Sequence, residues 1–432
     1  MSALNPLILR SLSLGLKFAL TIVIARTLGF DAVGVYGLAV AVSVVATKLL
    51  GLGFSAEVNR LLSGPRPKLA IRVAGTLCAL YAALYLALCA GVSLAALLGI
   101  LPDNAGVPAA ILWGVTLVAI SEHAAFEANG YVFSLHRAAA GSLLLFVRTG
   151  AWAAVAIAGL LLGAIQSIET VFWPWFAANL GVVLAAWCCI GRASRTHRAA
   201  HTQASVCNER AGAHAGMLAV WRNGLPFYAA TTLLSGLQYL ERFVAANALD
   251  SATLGRYVFA WSVANAVQTI AYATVAVVAG PRLVRAYDAP PGAFGALLRR
   301  ALLATAGLTL TTSISILAAN PLLFELAHER AGPAEIAGLA ILLVSFVLRS
   351  LADVLWTAAV ALRVGARVAT AIACIAALCP PTALGLIAWL GATGAALAHL
   401  AASAAVTSAL AYLVARALKD LVAATQEAAH AG

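Results

Sequence analysis

Long apolar runs, separated by short breaks that contain charged residues, Pro or Gly, are the feature of this sequence that most limits its fold. The runs reach about 20 residues, the length that an α-helix needs to cross about 30 Å of hydrocarbon. The chain is 63% hydrophobic and only 10% charged, whereas a soluble domain carries about 25% charged residues on average. The sequence therefore predicts an all-α polytopic membrane protein.

The breaks divide the 432-residue chain into about twelve predicted transmembrane spans. Their limits are near 11–28, 34–55, 73–100, 108–130, 138–163, 168–190, 226–248, 255–280, 299–323, 335–361, 368–390 and 394–415. Six spans lie on each side of the longest polar stretch. We therefore predict an N-terminal six-helix bundle over 1–190, a basic cytoplasmic linker over 191–224, a C-terminal six-helix bundle over 225–416 and a cytoplasmic tail over 417–432.

The distribution of basic residues gives an independent check on this number of spans. With a cytoplasmic N-terminus, nineteen of the 27 Lys and Arg residues fall in inside segments, and three (Arg26, Arg256 and Arg330) fall in outside turns. Cytoplasmic loops are enriched in Lys and Arg, and one missed helix would invert every later loop. The bias favours an even number of spans with both termini inside. The same inside loops account for the net charge of +11, because their basic residues lie where the loops meet anionic lipid headgroups. Membrane lipids are therefore the expected partner of these residues, and nucleic acid is not.

A short segment occurs twice, 221 positions apart: "LGFDAVGVYGLA" at residues 28–39 and "LDSATLGRYVFA" at residues 249–260. The aligned pairs are Gly34 with Gly255, Tyr36 with Tyr257 and Ala39 with Ala260. Each copy joins the first and second helices of one predicted half, which predicts parallel repeats of the kind found in transporters. We expect the Gly to permit the turn and the Tyr to anchor the next helix at the membrane interface. A chance recurrence is the alternative.

Four stretches resemble the polysaccharide flippases, the Wzx-type O-antigen and exopolysaccharide translocases of the multidrug/oligosaccharidyl-lipid/polysaccharide superfamily. They are "LSLGLKFALTIVIARTLGFDAVGVYGLAVAVSVVATKLLGLGFSAEVNRLL", "LPFYAATTLLSGLQYLERFVAANALDSATLGRYVFAWSVANAV", "AGPRLVRAY" and "GATGAALAHLAASAAVTSALAYLVAR". Where that family often has Asp-Arg in its seventh helix, this chain has Glu241-Arg242. The resemblance covers nearly the whole chain but uses loose patterns, so it indicates fold and broad role better than substrate.

The resemblance implies a V-shaped pair of six-helix bundles, similar to those of MATE proteins, in the bacterial cytoplasmic (inner) membrane. A cationic central cavity would face the cytoplasm and the outside alternately. Its substrate would be a polyprenyl-diphosphate-linked oligosaccharide, a repeat unit of O-antigen, capsule or exopolysaccharide, and the glycosyltransferases or polymerase of the same pathway are candidate partners. The family has no cofactor, although H⁺, Na⁺ or the membrane potential can couple transport.

Charged residues inside the predicted spans are the candidate site, because a charge in the bilayer centre costs about 2.5–3.5 kcal/mol and usually faces a cavity or a partner. The candidate substrate-binding cations are Lys17, Arg26, Arg148, Arg242 and Arg349. The candidate carboxylates, for a coupling ion or for salt bridges, are Glu122, Glu241 and Asp353. Guanidinium and ammonium groups are the usual counter-groups of phosphate oxygens, which favours an anionic substrate.

Structural roles are the alternative for several of these side chains. Arg26 is at the outer end of the first predicted helix, where its side chain could lie at the membrane interface or in a cavity. Lys48 is near the inner end of its helix, and we expect it to extend its ammonium group towards the interface. Arg349 and Asp353 have the i,i+4 spacing of a pair on one helix face. His399 is expected to be a hydrogen-bonded packing residue. The aromatic segment 172–176 is expected to be an interfacial belt, with sugar stacking as the minor alternative.

A lipid-linked oligosaccharide flippase is therefore the leading interpretation, and the protein is not expected to be an enzyme. The alternatives are a drug or cation antiporter of the same superfamily and a peptidoglycan-precursor flippase, although the latter subfamily usually has two more helices. A polyprenyl-linked glycosyltransferase or polymerase is disfavoured, because the outside connections offer no paired carboxylates or nucleophile. Neither the cysteines nor the histidines have the spacing of metal ligands.

Overall fold

The computed structural model describes residues 4–63, 67–99, 108–198, 209–287, 291–327 and 332–431, and every regular element in these ranges is helical. The first eight helices are α1 (Leu4–Leu28), α2 (Phe30–Leu49), α3 (Ser55–Leu62), α4 (Pro67–Leu97), α5 (Ala109–Ser134), α6 (Ala138–Phe146), α7 (Trp152–Leu161) and α8 (Ile168–Arg198). The last seven are α9 (Glu209–Ala248), α10 (Ser251–Ala271), α11 (Val277–Ala286), α12 (Pro291–Ala318), α13 (Asn320–Leu326), α14 (Pro333–Ala361) and α15 (Gly365–Ala431).

Ten helical segments in the described ranges are long and apolar enough to cross a membrane. Two of them contain a π-helical turn, at 147–151 between α6 and α7 and at 272–276 between α10 and α11. The last segment has a backbone break at Gly391, so that it contains both predicted spans 368–390 and 394–415. The predicted span 226–248 lies within α9. These assignments account for the twelve predicted spans and confirm the all-α polytopic membrane fold.

The chain packs as two compact units. The first consists of Met1–Leu20 and Ala39–Thr232, and the second of Thr21–Leu38 and Leu233–Gly432. In the first unit, α5 and α8 form the most extensive helix pair, and in the second α14 packs against α10, α11, α12 and α15. Helices α1 and α2 are therefore each divided between the two units: residues 21–28 of α1 and 30–38 of α2 belong to the second unit, and the other residues of both helices belong to the first. The predicted division at the linker 191–224 remains a prediction.

The two copies of the repeat begin their helices by different means. Gly29 precedes α2 with a φ of 85°, a left-handed conformation that a glycine adopts without strain. Asp250, its counterpart in the second copy, caps α10 by accepting a hydrogen bond of 2.9 Å from the Thr253 backbone N–H. Hydrogen bonds from Thr253 hold the pKa of Asp250 below its usual value. The residue that permits the first turn is thus Gly29, and the prediction that Gly34 does so was wrong.

Gly34 and Gly255 instead allow α2 and α10 to cross at close range. A Cβ atom on Gly34 would lie 3.1 Å from the Ser251 carbonyl oxygen, and one on Gly255 would lie 1.8 Å from the Phe30 carbonyl oxygen. The repeated tyrosines are buried beside this crossing, with Tyr36 and Tyr257 each 4% exposed. Tyr257 donates a hydrogen bond to Glu241. The prediction of an interfacial Tyr anchor was therefore wrong, because the close crossing encloses both rings.

We expect the variant Gly255→Ala to lower thermal stability, because the new methyl group would force α2 and α10 apart. Overpacking of this kind costs about 1–3 kcal/mol. The measurement is thermal unfolding of the purified protein in detergent. The matched control is Gly236→Ala in α9, where an added Cβ meets nothing within 4 Å, and equal melting temperatures for the two variants would contradict the crossing.

Candidate functional site

Three of the predicted charged residues lie together in the first unit. Glu122 on α5 forms an ion pair with Arg148, with 3.6 Å between Arg148 Nε and Glu122 Oε1. Lys17 on α1 is within electrostatic range of both side chains. The side chains of Arg148 and Glu122 are 11% and 14% exposed. We call Lys17, Glu122 and Arg148 the first-unit charge cluster, and its formal charge is +1 when all three groups are ionised.

Glu122 is fixed in place by α8. Its Oε2 atom accepts a hydrogen bond of 2.9 Å from Trp175 Nε1 and another of 3.0 Å from Asn179 Nδ2. The Trp175 ring stacks in parallel on Trp152, with 4.6 Å between ring centroids. Two donors and a stacked ring hold the carboxylate in one orientation, so that its other oxygen points to Arg148.

The π-helical turn at 147–151 positions Arg148. In such a turn the backbone departs from the α-helical hydrogen-bond pattern, a feature frequent at functional sites. Trp152 Nε1 donates to the Arg148 carbonyl oxygen at 2.9 Å. A Cβ atom on Gly150 would lie 2.7 Å from Ser13 Cα, so this glycine lets α1 approach the turn. The approach brings Lys17, one helical turn after Ser13, towards Arg148.

Phe126 lies beside the same charges, one helical turn after Glu122. The Lys48 ammonium group is 4.4 Å from the centre of the Phe126 ring, and the Arg148 guanidinium carbon is 5.2 Å from it. Cation–π contacts of this kind are worth about 0.5–2 kcal/mol. Lys48 is half-buried and packs on a ring, so the predicted extension towards the interface does not describe it.

Arg242 in the second unit is a buried packing residue. It is 1% exposed. The guanidinium carbon lies 3.7 Å from the centroid of the Trp261 ring, and Nη1 donates a hydrogen bond of 2.9 Å to the Gly37 carbonyl oxygen. Tyr239 provides a second ring at 5.1 Å. Nε and Nη2 have no hydrogen-bond partner within the ranges that the structure describes. The guanidinium group therefore holds α9 against α2 and α10.

Of the other predicted charges of the second unit, the two carboxylates each accept a hydrogen bond from a neutral side chain. Glu241 is 2% exposed and accepts a hydrogen bond of 3.2 Å from the Tyr257 hydroxyl. Asp353 accepts one of 2.9 Å from Gln268 Nε2. Arg349 is 6% exposed, and no ion pair joins it to Asp353 among the residues with described side chains. Their i,i+4 spacing thus places them on one face without bringing their charged atoms into contact.

Two further predicted residues have clear environments. Arg26 lies in the last turn of α1 and its side chain is exposed, which is compatible with an interfacial position and with a position in an open cavity. His399 is 1% exposed, and its Nδ1 atom is 2.6 Å from the Ser345 hydroxyl oxygen. The ring also packs at 4.9 Å from Phe346. The prediction of a hydrogen-bonded packing histidine is confirmed.

Sequence reasoning missed Trp175 and Glu127. Trp175 lies in the aromatic segment 172–176, but it is 2% exposed and bonds to Glu122, whereas Trp173 is 61% exposed. Only Trp173 has the exposure of a belt residue. Glu127 lies within the predicted span 108–130 and is 3% exposed. The signal for Glu127 was its position inside an apolar run, five residues after Glu122.

A pocket of about 160 Å³ lies in the first unit. Its lining includes Lys48, Ser55, Asn59, Phe126 and Tyr228. Four hydroxyl groups that line it already donate to protein acceptors, including the Tyr228 hydroxyl to the Leu49 carbonyl oxygen. Lys48 is therefore the main charged group that this pocket offers. No group of three or more His, Cys, Asp or Glu side chains that could hold a metal ion occurs in the described ranges.

Comparisons with known proteins support the fold. No protein-family model matches the sequence, and no curated protein matches it. An inward-facing multidrug resistance MATE family transporter of the MOP superfamily matches with a TM-score of 0.69 at 15% identity, over 96% of this chain and 98% of that chain. Lipid II flippase MurJ, in an inward closed conformation, matches with a TM-score of 0.69 at 12% identity, over 97% of this chain and 90% of that chain. The fold is that of the MATE transporters and MurJ.

A Vibrio cholerae MATE transporter, VcmN, gives a third match, with a TM-score of 0.61 at 16% identity over 96% of this chain and 95% of that chain. Likeness at such low identity concerns the course of the backbone, and it confirms the predicted fold class. The Wzx-type resemblance remains an interpretation of the sequence.

We expect Arg242→Ala to destabilise the protein, since it removes a desolvated cation–π contact worth about 2 kcal/mol and leaves the Gly37 carbonyl oxygen without its donor. The melting temperature in detergent should fall by several degrees, by the usual conversion of such free energies. Arg367→Ala is the control, because Arg367 is exposed at the start of α15. A melting temperature as high as that of the wild type would show that Arg242 does not hold α9.

Proposed function

We propose that this protein is a flippase, which moves a polyprenyl-diphosphate-linked oligosaccharide from the cytoplasmic to the outer leaflet by alternating access. The process requires no covalent chemistry, so the protein acts as a transporter and not as an enzyme. The proposed location is the bacterial inner membrane, and the proposed substrate is a repeat unit of O-antigen, capsule or exopolysaccharide.

The observation that carries the proposal is the first-unit charge cluster. Lys17 and Arg148 provide two positive charges against the single negative charge of Glu122, on helical segments that are long and apolar enough to cross a membrane. A diphosphate is an anion that must cross a region of low dielectric constant, where an excess of cations lowers its free energy. Arg148 Nε makes no hydrogen bond in the described ranges and faces Glu122 Oε1 only at 3.6 Å, so in this proposal a phosphate oxygen replaces the carboxylate as its acceptor.

The fold neighbours include transporters with different substrates. One is titled a lipid II flippase, and others are titled multidrug resistance or MATE transporters. Both kinds match with the same TM-score of 0.69, so the fold is compatible with a drug or cation antiporter as well. A cation substrate calls for an acidic site, whereas the first-unit charge cluster is net positive, and this charge favours the flippase.

The decisive experiment compares the two substrate classes directly. Purified protein is reconstituted in liposomes and assayed for movement of a fluorescent polyprenyl-diphosphate oligosaccharide, with extrusion of a cationic dye measured in parallel. Flipping of the lipid-linked glycan without dye extrusion supports the proposal. Dye extrusion without glycan flipping would establish the antiporter instead.

The same assay tests the role of the cluster. Arg148→Ala should reduce the flipping rate about 10- to 100-fold, because a hydrogen bond to a charged group is worth roughly 1.5–3 kcal/mol. Lys17→Ala should reduce it in the same direction, and Arg148→Lys, which keeps the charge, should retain more activity than Arg148→Ala.

Arg300→Ala is the matched control for these variants, because Arg300 is an exposed cation on α12. Its flipping rate should equal that of the wild type. Protein amount and melting temperature must be measured for each variant, since loss of the ion pair also leaves Glu122 without its cation. Full flipping by folded Arg148→Ala and Lys17→Ala would refute the cationic site.

A further inference from the structure

Glu127 is a buried acid that the first-unit charge cluster does not use. It lies on α5 and is 3% exposed. Its Oε1 atom accepts a hydrogen bond from the Ser55 hydroxyl at the start of α3. Its Oε2 atom makes no hydrogen bond of standard geometry in the part of the chain that the structure describes, and the Tyr131 hydroxyl lies close enough to interact with the carboxyl group. An ionised carboxylate with one undonated oxygen is costly in apolar surroundings, and a bound proton removes that cost.

His123 faces the same carboxyl group from one helical turn earlier. Its Nε2 atom is 4.0 Å from Glu127 Oε1, and the ring is fully buried. On the opposite side of the ring, Nδ1 is 2.5 Å from the Tyr85 hydroxyl oxygen. When that hydroxyl donates to Nδ1, the ring carries its proton on Nε2, which is directed to Glu127. The Nε2 proton then faces the carboxyl group across 4.0 Å, so the charge of each side chain acts on the other without a hydrogen bond between them.

The groups that face this pair come from every helix packed around it. On α4 they are the neutral Tyr81, Tyr85 and Cys78, and on α5 the neutral Tyr131. On α2 the only charged neighbour in the described ranges is Lys48, whose charge acts on both Glu127 and His123. The Trp187 ring of α8 packs on Tyr131 and carries no charge. A single cation thus balances Glu127 when it is ionised.

The geometry points to a proton-binding site formed by His123 and Glu127, and we propose that this pair takes up and releases a proton during the working cycle of the protein. A proton fits better than Na⁺, because a hard metal cation needs several oxygen ligands, and the imidazole of His123 is not one of them. The hydroxyl and imidazole groups around the carboxyl also suit a hydrogen-bonded proton. The proposal is independent of the substrate that the protein carries.

The site is joined to a non-helical connection between α2 and α3. Leu52 and Gly53 have φ values of 50° and 90°, and the Tyr81 hydroxyl donates to the Gly51 carbonyl oxygen at 3.2 Å. Ser55, at the end of this connection, bonds to Glu127. A proton on Glu127 weakens the Ser55 hydrogen bond and also leaves Lys48 without its balancing charge. Proton binding would thereby alter both the connection and the charge that Lys48 presents to the pocket.

Infrared difference spectroscopy of the purified wild-type protein tests the site without any substrate. A protonated carboxyl group has its own C=O stretching band, separate from the carboxylate bands. We expect a band that appears and disappears between about pH 5 and 9, the range in which buried carboxyl groups are known to titrate. Glu127→Gln, a nearly isosteric change, should abolish this band.

Glu122→Gln is the matched control, because Glu122 is on the same helix but is paired with Arg148 and bonded to Trp175 and Asn179. It should leave the band in place. A band that persists in Glu127→Gln, or that is lost in Glu122→Gln alone, would overturn the proposal. A band that responds to Na⁺ at constant pH but not to pH itself would also overturn it and indicate a Na⁺ site.

Proton movement in liposomes gives a second, functional test. A pH-sensitive dye inside the vesicles should report proton flux with the wild type when a pH gradient is imposed together with transport, and the flux should be lost with Glu127→Gln. If glycan flipping fails in the wild type but the infrared band behaves as expected, the proton site stands and only the proposed substrate is wrong. Normal proton-coupled flux in Glu127→Gln would refute the site.

Discussion

Charge in an apolar medium is the constraint on which the rest of this structure depends. With 63% hydrophobic residues, the chain must find a partner for each ion inside its helices. Arg242 uses the Trp261 ring and the Gly37 carbonyl oxygen, whereas Arg148 uses Glu122. The contacts of Arg242 leave its charge buried, and they hold α9 against the neighbouring helices. The pairing of Arg148 with Glu122 leaves these side chains 11% and 14% exposed.

Departures from regular α-helix coincide with the polar groups of the first unit. The π-helical turn at 147–151 carries Arg148, and the connection between α2 and α3 carries Ser55, the donor to Glu127. In a bilayer, irregular backbone is tolerated only where protein or water satisfies it. The Trp152 indole donates to the Arg148 carbonyl oxygen and the Tyr81 hydroxyl donates to the Gly51 carbonyl oxygen, which meets this condition. Helix α5 carries both Glu122 of the charge cluster and Glu127 of the proposed proton site.

The transmembrane spans could be predicted because length and apolarity suffice to recognise them. The cost of charge in lipid made Lys17, Glu122 and Arg148 individual candidates, whereas their grouping was not predicted and comes from the structure. The burial of individual charged side chains could not be predicted. Whether Arg242 lines a cavity or stacks on a ring depends on how α9 and α10 pack, and the composition of the helices does not reveal this packing. Trp175 looked like a belt residue because a helix in an apolar run gives no sign of which face its neighbour covers.

The crossing at Gly34 and Gly255 has a bearing on the origin of the chain. These glycines occupy the same position in the two copies of the repeat, and their backbones lie against each other. A contact in which a residue meets its own equivalent is the signature of an isologous interface, the kind that joins two identical subunits about a two-fold axis. If the two copies arose by duplication, this crossing is one that two identical ancestral chains could also have formed. A mutation at either glycine is thereby constrained by the other copy.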